Sequence, residues 1–200
     1  MIEQYYLSYT TVYTEMKSIA QIMDDPIDDT EMKEYLGQDA KILKYSDLRS
    51  VKHIAELLPS ATDFVILLYQ TEPTEGHWVG LSKYPDRFGS SVLEYFDPYG
   101  NTLDEPLSWI TSQRNKQLGI TSPYLTNLMN ASGHKLLENR VRYQQESPKI
   151  ETCGRHIIYR ILKLVQHGFK QRQYNDHMRL LKARNPNKSY DEIVSSIINI

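Results

Sequence analysis

A single cysteine, Cys153, stands in this chain of 200 residues. No internal disulfide can form, so a hydrophobic core must hold the fold, and a reducing intracellular compartment is the expectation. No stretch approaches the roughly 20 apolar residues of a membrane span, so no membrane partner is expected. The opening residues have neither the basic start nor the apolar centre of a secretory signal. No charge of one sign dominates. Lys and Arg number 23 against 25 Asp and Glu, a net charge of −2, so no overall basicity directs the chain to nucleic acid. Phenylalanine is scarce, 4 against 15 tyrosines, which puts amphipathic rings on strands and half-exposed surfaces. No internal repeat or low-complexity tract occurs. What remains, 40% apolar and 24% charged, is the profile of a globular chain long enough to bury a substantial core.

Local patterns divide that chain into elements. Val12, Met16, Ile19 and Met23 recur at helical spacing, predicting a helix over Tyr9 to Met23 that "DDPIDD" breaks. "DDTEMKEYLG" reads as a short helix capped by Asp28, with Glu31 completing a capping box and Gly37 ending it. A strand over Lys41 to Tyr45 and a helix capped by Ser46 and stopped before Pro59 follow. "FVILLY", Phe64 to Tyr69, is a continuous apolar run of strand length, buried on both faces. Trp78 to Tyr84 and Val92 to Phe96 flank "PDRFGS", a turn-forming connector, and read as a β-hairpin. Leu103 to Glu138 is mostly polar, helical or looped. "RVRYQ" alternates and predicts one more strand ending near Gln144. A helix from Cys153 to a stop at Gly168 is broadly apolar, and two short helices separated by "NPN" complete the chain. The sum is an α+β fold with a mostly antiparallel central sheet flanked by helices.

Four residues fall where chemistry would use them. Cys153 opens a core helix, and the unpaired N–H groups of a helix N-terminus favour a thiolate. His77 begins one strand and Asp97 ends the next, so sheet pairing can bring the carboxylate to the imidazole, orient it and steady its cation. An imidazole beside the thiol supplies the proton a departing amine needs. Gln144, with Gln145 as the alternate, carries an amide donor for an oxyanion, together with the Cys153 N–H. Gly154 leaves space beside the thiol for a substrate backbone. Each residue also has an ordinary role: small core filler for Cys153, strand-end residue for His77, turn former for Asp97. The conjunction is what points to a nucleophile. His156, three positions beyond Cys153, competes as base but has no evident acid. Cys153 with His156 makes two ligands of an ion, and no second pair supplies the rest, so no metal is expected.

"GHWVGL", "EYFDPYG" and "VRYQ…TCGRH", in that order, resemble the adenovirus-protease and ubiquitin-like-protein-protease group of cysteine peptidases. The likeness leans to the branch of large DNA viruses and virophages, and covers about Lys41 to Leu164, including "LGQDAKILKYSDL". In that group the order is His, Asp or Asn, Gln, Cys, matching His77, Asp97, Gln144 and Cys153. The cellular branch places its glutamine nearer the cysteine, where this chain has Ser147. The resemblance implies a papain-like or adenain-like fold in one peptidase domain. Its catalytic core would span about 41–168, with an N-terminal helical region at 1–40 and a C-terminal helical tail at 169–200. It implies that Trp78 shields the catalytic pair from water, and that cleavage follows small, glycine-rich residues. The protein substrate would be a viral capsid or core precursor or, on the alternative, a ubiquitin-like conjugate. It further implies a place in host cytoplasm or virus factory and in the virion, no cofactor for the chemistry itself, and a peptide or DNA activator in some members. Lys170, Arg172, Arg179, Lys182, Arg184 and Lys188 give the tail one basic face on which DNA contact is an expectation.

Overall fold

The computed structural model describes residues 17–72 and 75–199. Five strands form one sheet in sequence order: β1 (Ile42–Lys44), β2 (Asp63–Gln70), β3 (Gly76–Pro85), β4 (Ser91–Phe96) and β5 (Lys135–Glu138). The long central pairings, β2 with β3 and β3 with β4, are antiparallel, and the short edge pairings are parallel. The predicted α+β class and the largely antiparallel centre are therefore both present. The hairpin register sets Tyr84 opposite Val92 and Gly80 opposite Phe96.

Strand periodicity sorts the core into two layers. Val65, Leu67, Tyr69, Val79, Leu81, Leu93 and Tyr95 face one side, where α3 (Ile54–Leu57) and α5 (Tyr124–Ser132) cover them with Leu57, Leu125 and Met129. Ile66, Trp78 and Phe96 face the other, under α6 (Cys153–His167). Ile157, Ile158 and Ile161 of α6 are buried, each stabilising the fold by about 1.5–3 kcal/mol relative to exposure. A buried ion pair fixes the helix on the sheet: Arg160 donates Nε to Glu94 Oε1 at 2.8 Å and an η nitrogen to Oε2, which Tyr84 also engages. Arg160 lies two turns beyond Cys153, so this clamp sets where the thiol stands. Gly168 in the left-handed conformation ends α6 as expected, and α7 (Gln171–Arg184) and α8 (Tyr190–Ile197) follow.

Asp28 and Glu31 do form the reciprocal cap of α2 (Asp29–Leu36), and Gly37 closes it. Three expectations shift. The first helix, α1, is Ile19–Asp24 with Ser18 and Gln21 as its capping box, and the part expected over residues 9–16 lies outside the described residues. The helix expected from Ser46 to Pro59 is a 3-10 turn, Tyr45–Ser50, followed after a break by the four-residue α3. Glu56 explains the break: its carboxylate accepts the Lys52 and His53 N–H groups and starts a new helix there. "RVRYQ" is not a strand. The Tyr143 and Gln144 N–H groups both go to the Pro98 carbonyl, and Asn139 engages both ends of Val141's peptide, so no ladder forms. The strand lies earlier, at β5, on the sheet edge. The remaining pieces, a 3-10 turn at Glu105–Trp109 and α4 (Ser112–Gln117), are short. Among the described residues no helix is long and apolar enough to cross a membrane.

Candidate active site

Three separate elements deliver three side chains to one place. His77 is the second residue of β3, directly opposite Tyr69 of β2. Asp97 follows the last residue of β4, in the turn "DPYG". There the Gly100 N–H returns to the Asp97 carbonyl at 2.9 Å, and Gly100 takes a φ of 78° that favours glycine. Cys153 is the first residue of α6.

His77 Nε2 lies 2.9 Å from Asp97 Oδ1, with the ring 5% exposed and Asp97 fully buried. The carboxylate is itself held: Oδ1 accepts the Tyr99 N–H at 2.8 Å and Oδ2 the Asn101 amide at 3.1 Å. With Nε2 facing Asp97, Nδ1 is the ring nitrogen left over, and Cys153 shares the cleft wall with this ring and contributes to its pKa. Burial pulls the imidazole's pKa down. The Asp97 charge and hydrogen bond, with the Cys153 contact added, outweigh burial and raise it to about 10. His77 is thus a cation at neutral pH, a proton donor already beside the sulfur.

Cys153, His77, Trp78 and Gln144 line a common cleft of about 760 Å³. Gln144 is buried, and its Nε2 donates to the Ile150 carbonyl at 2.9 Å, leaving a second N–H uncommitted and its Oε1 without a partner among the described residues. Gln145, the alternate, is exposed and lines a different surface groove, so of the two only Gln144 stands beside the thiol. Gly154 does not line the cleft, which corrects its expected place beside substrate. A Cβ there would meet Met32 Cε at 2.9 Å and Ile27 Cβ at 3.1 Å, so its missing side chain lets α6 pack against α2. Trp78 donates Nε1 to the Ile27 carbonyl at 3.0 Å. The rings that cover His77 are instead Tyr99, stacked with centroids 4.9 Å apart, and Trp109, edge-on at 5.3 Å.

Residues beyond the motifs hold this geometry. Asn139 is buried and donates Nδ2 to the Asp97 carbonyl at 2.9 Å, clamping the turn. Asp191, from α8, accepts hydrogen bonds from the Thr152 hydroxyl, His156 Nε2 and the Gln145 N–H. It is the acid for His156 that no nearby sequence offers. Asn139 has no local signal beyond its place after a strand, and Asp191 has none at all. Among the described residues no three His, Cys, Asp or Glu gather closely enough for a metal ion. On the basic tail, Arg179 pairs with Asp176, and Lys182 donates to the carbonyls of Pro186 and Lys188, closing the end of α7.

No family model matches the chain. An uncharacterized protein of the Sputnik virophage is 27% identical over 163 residues, covering 82% of this chain and 90% of that one. The chain is similar to an ASFV protease at 18% identity and a TM-score of 0.42, covering 86% of this chain and 62% of the protease, less than two thirds of its length. A de-sumoylating protease aligns at 11% identity and a TM-score of 0.36 over 88% of this chain and 78% of its own. These structural overlaps are loose, and the chemistry of the cleft stands on the chain's own geometry.

Proposed function

We propose that this chain is a cysteine endopeptidase. The observation that carries it is the Asp97–His77 pair at 2.9 Å, from a turn and a strand, beside a cleft whose wall His77 shares with Cys153 at a helix start. Cys153 Sγ attacks the carbonyl carbon of the scissile peptide, forming a C–S bond and an oxyanion. The Cys153 N–H and the free N–H of Gln144 receive that charge. Collapse breaks the C–N bond as the leaving nitrogen takes the proton from His77, leaving a thioester. Water, deprotonated by His77, then attacks the thioester and releases the acid, returning Cys153 and His77 to their starting state. Asp97 holds the ring through both steps, while Tyr99 and Trp109 keep bulk water from its faces.

The substrate reading is cleavage after small, glycine-rich residues in precursors of a viral particle. It is supported by the order of the motifs, and the virophage relative supports its viral setting. Peptides ending in Gly-Gly before a reporter amide, presented to the parent and to Cys153→Ala, test the activity. The parent should turn over, and the variant should fall to background with its folded spectrum unchanged. Turnover by Cys153→Ala would remove the mechanism. A probe built on an intact ubiquitin-like protein separates the isopeptidase alternative, because a precursor-processing enzyme needs only the extended tail.

A further inference from the structure

The cleft that opens onto Cys153 is unevenly charged. Asp28 and Asp29 enter it from the start of α2, Asp47 from the turn after β1, Glu75 from the approach to β3 and Glu151 from the segment before Cys153. Against five carboxylates its wall holds one basic side chain, Lys44, besides His77 itself. Asp28 and Asp47 are fixed by backbone N–H groups at their own turns, at 2.8 and 3.0 Å, bonds that hold the side chains in place. Glu151 is half-buried, facing Glu75 and Asp24 with His77 opposing; burial, then those two acids, raise its carboxyl above the usual range. These acids do not converge on a point, since among the described residues no cluster fits a metal ion. A second observation in the same cleft concerns the main chain of a ligand. Gln144, 1% exposed, has an Oε1 with no partner among the described residues, an acceptor suited to a peptide N–H.

We infer that the cleft takes an extended peptide segment carrying lysine or arginine close to the bond presented to Cys153. This deepens the cysteine-peptidase reading and rests on it. Spread carboxylates on low-dielectric walls raise the local concentration of a cationic chain, and each offers an acceptor for an ammonium or guanidinium. The same field disfavours an acidic segment.

Three peptide vinyl sulfones, identical except for Lys, Ala or Glu at one position near the electrophile, test this in the full chain. The readout is the ratio of second-order rates of Cys153 labelling, which cancels any unfolded fraction. The Lys probe should label about tenfold faster than the Glu probe at low salt, a gap that closes as salt rises. Glu75→Gln combined with Glu151→Gln should bring the ratio most of the way to one. Equal rates, or a preference for Glu, would overturn the charge inference alone, provided every peptide still outpaces its own rate on His77→Ala. Labelling by no peptide, with iodoacetamide still reaching Cys153, would overturn the peptidase reading and this inference with it.

Discussion

Two histidine–aspartate pairs flank Cys153, and they do different work. His77 and Asp97 meet at 2.9 Å, and His156 and Asp191 at 3.1 Å, all four side chains essentially out of water. Burial and distance do not separate them. What separates them is the ring atom left over. His77 lines the cleft that Cys153 also lines, whereas His156 Nδ1 is enclosed with no partner among the described residues, beneath Tyr143. Their acids differ too. Asp97 is braced by its own turn and serves one ring. Asp191 draws together Thr152, His156 and the Gln145 backbone, fastening α8 to the two segments that carry Cys153 and Gln144. What a His–Asp pair faces, more than its burial or its length, therefore decides what it is placed to do.

The sharpest break in this comparison is kinetic. His77→Ala should lower peptide cleavage by roughly 10³-fold or more, and Asp97→Asn, which can still orient the ring, by less. His156→Ala should keep kcat/KM within about tenfold of the parent, a loss consistent with positioning. Equal losses in the two alanine variants would dissolve the distinction. Stability should reverse the ranking. Asp191→Ala strands a hydroxyl, a ring nitrogen and a backbone N–H, and should cost about 2–4 kcal/mol in denaturant unfolding; a cost no greater than that of Asp97→Asn would refute its tethering role. The smallest effect is a slope. The folded-state pKa of His77, about 10, stands above the free value of 6.5, so its contribution to stability is full below pH 6.5 and is lost as pH rises through about 10. Between pH 7 and 8 that linkage lowers stability by at most about 1.4 kcal/mol, and His77→Gln should flatten the change.

The residues of the first pair could be read from the sequence because each sits beside local punctuation. His77 follows a glycine at a strand start, Asp97 opens an Asp-Pro turn, and Cys153 precedes a long apolar helix. The second pair could not, because Asp191 joins α6 only through tertiary packing and its own neighbourhood reads as an ordinary capped helix start. The misplaced strand has a related cause. Tyr143 and Gln144 are buried with their N–H groups on the Pro98 carbonyl and the Tyr143 ring against His156 and Tyr190, and the alternation in "RVRYQ" reflects that anchoring. β5 is short and pairs only at a parallel edge, where four residues leave too little pattern to detect. Gly154 shows the limit of residue type: small size next to a nucleophile does not say which neighbour needs the room. The rings over His77 were equally hidden, since Trp109 arrives from a stretch with no strand or helix period.

Thr152 has one further consequence. A threonine at that position would ordinarily turn its hydroxyl onto the first amides of the helix it precedes, worth about 1 kcal/mol. Here no side chain caps α6, because the Thr152 hydroxyl is drawn off to Asp191. The leading amides of the longest helix in the described residues therefore remain unanswered beside the sulfur, a standing demand for negative charge built before any substrate arrives. Local stability has been given up at the helix end that carries the sulfur, so C-terminal residues far along the chain help set the field around it.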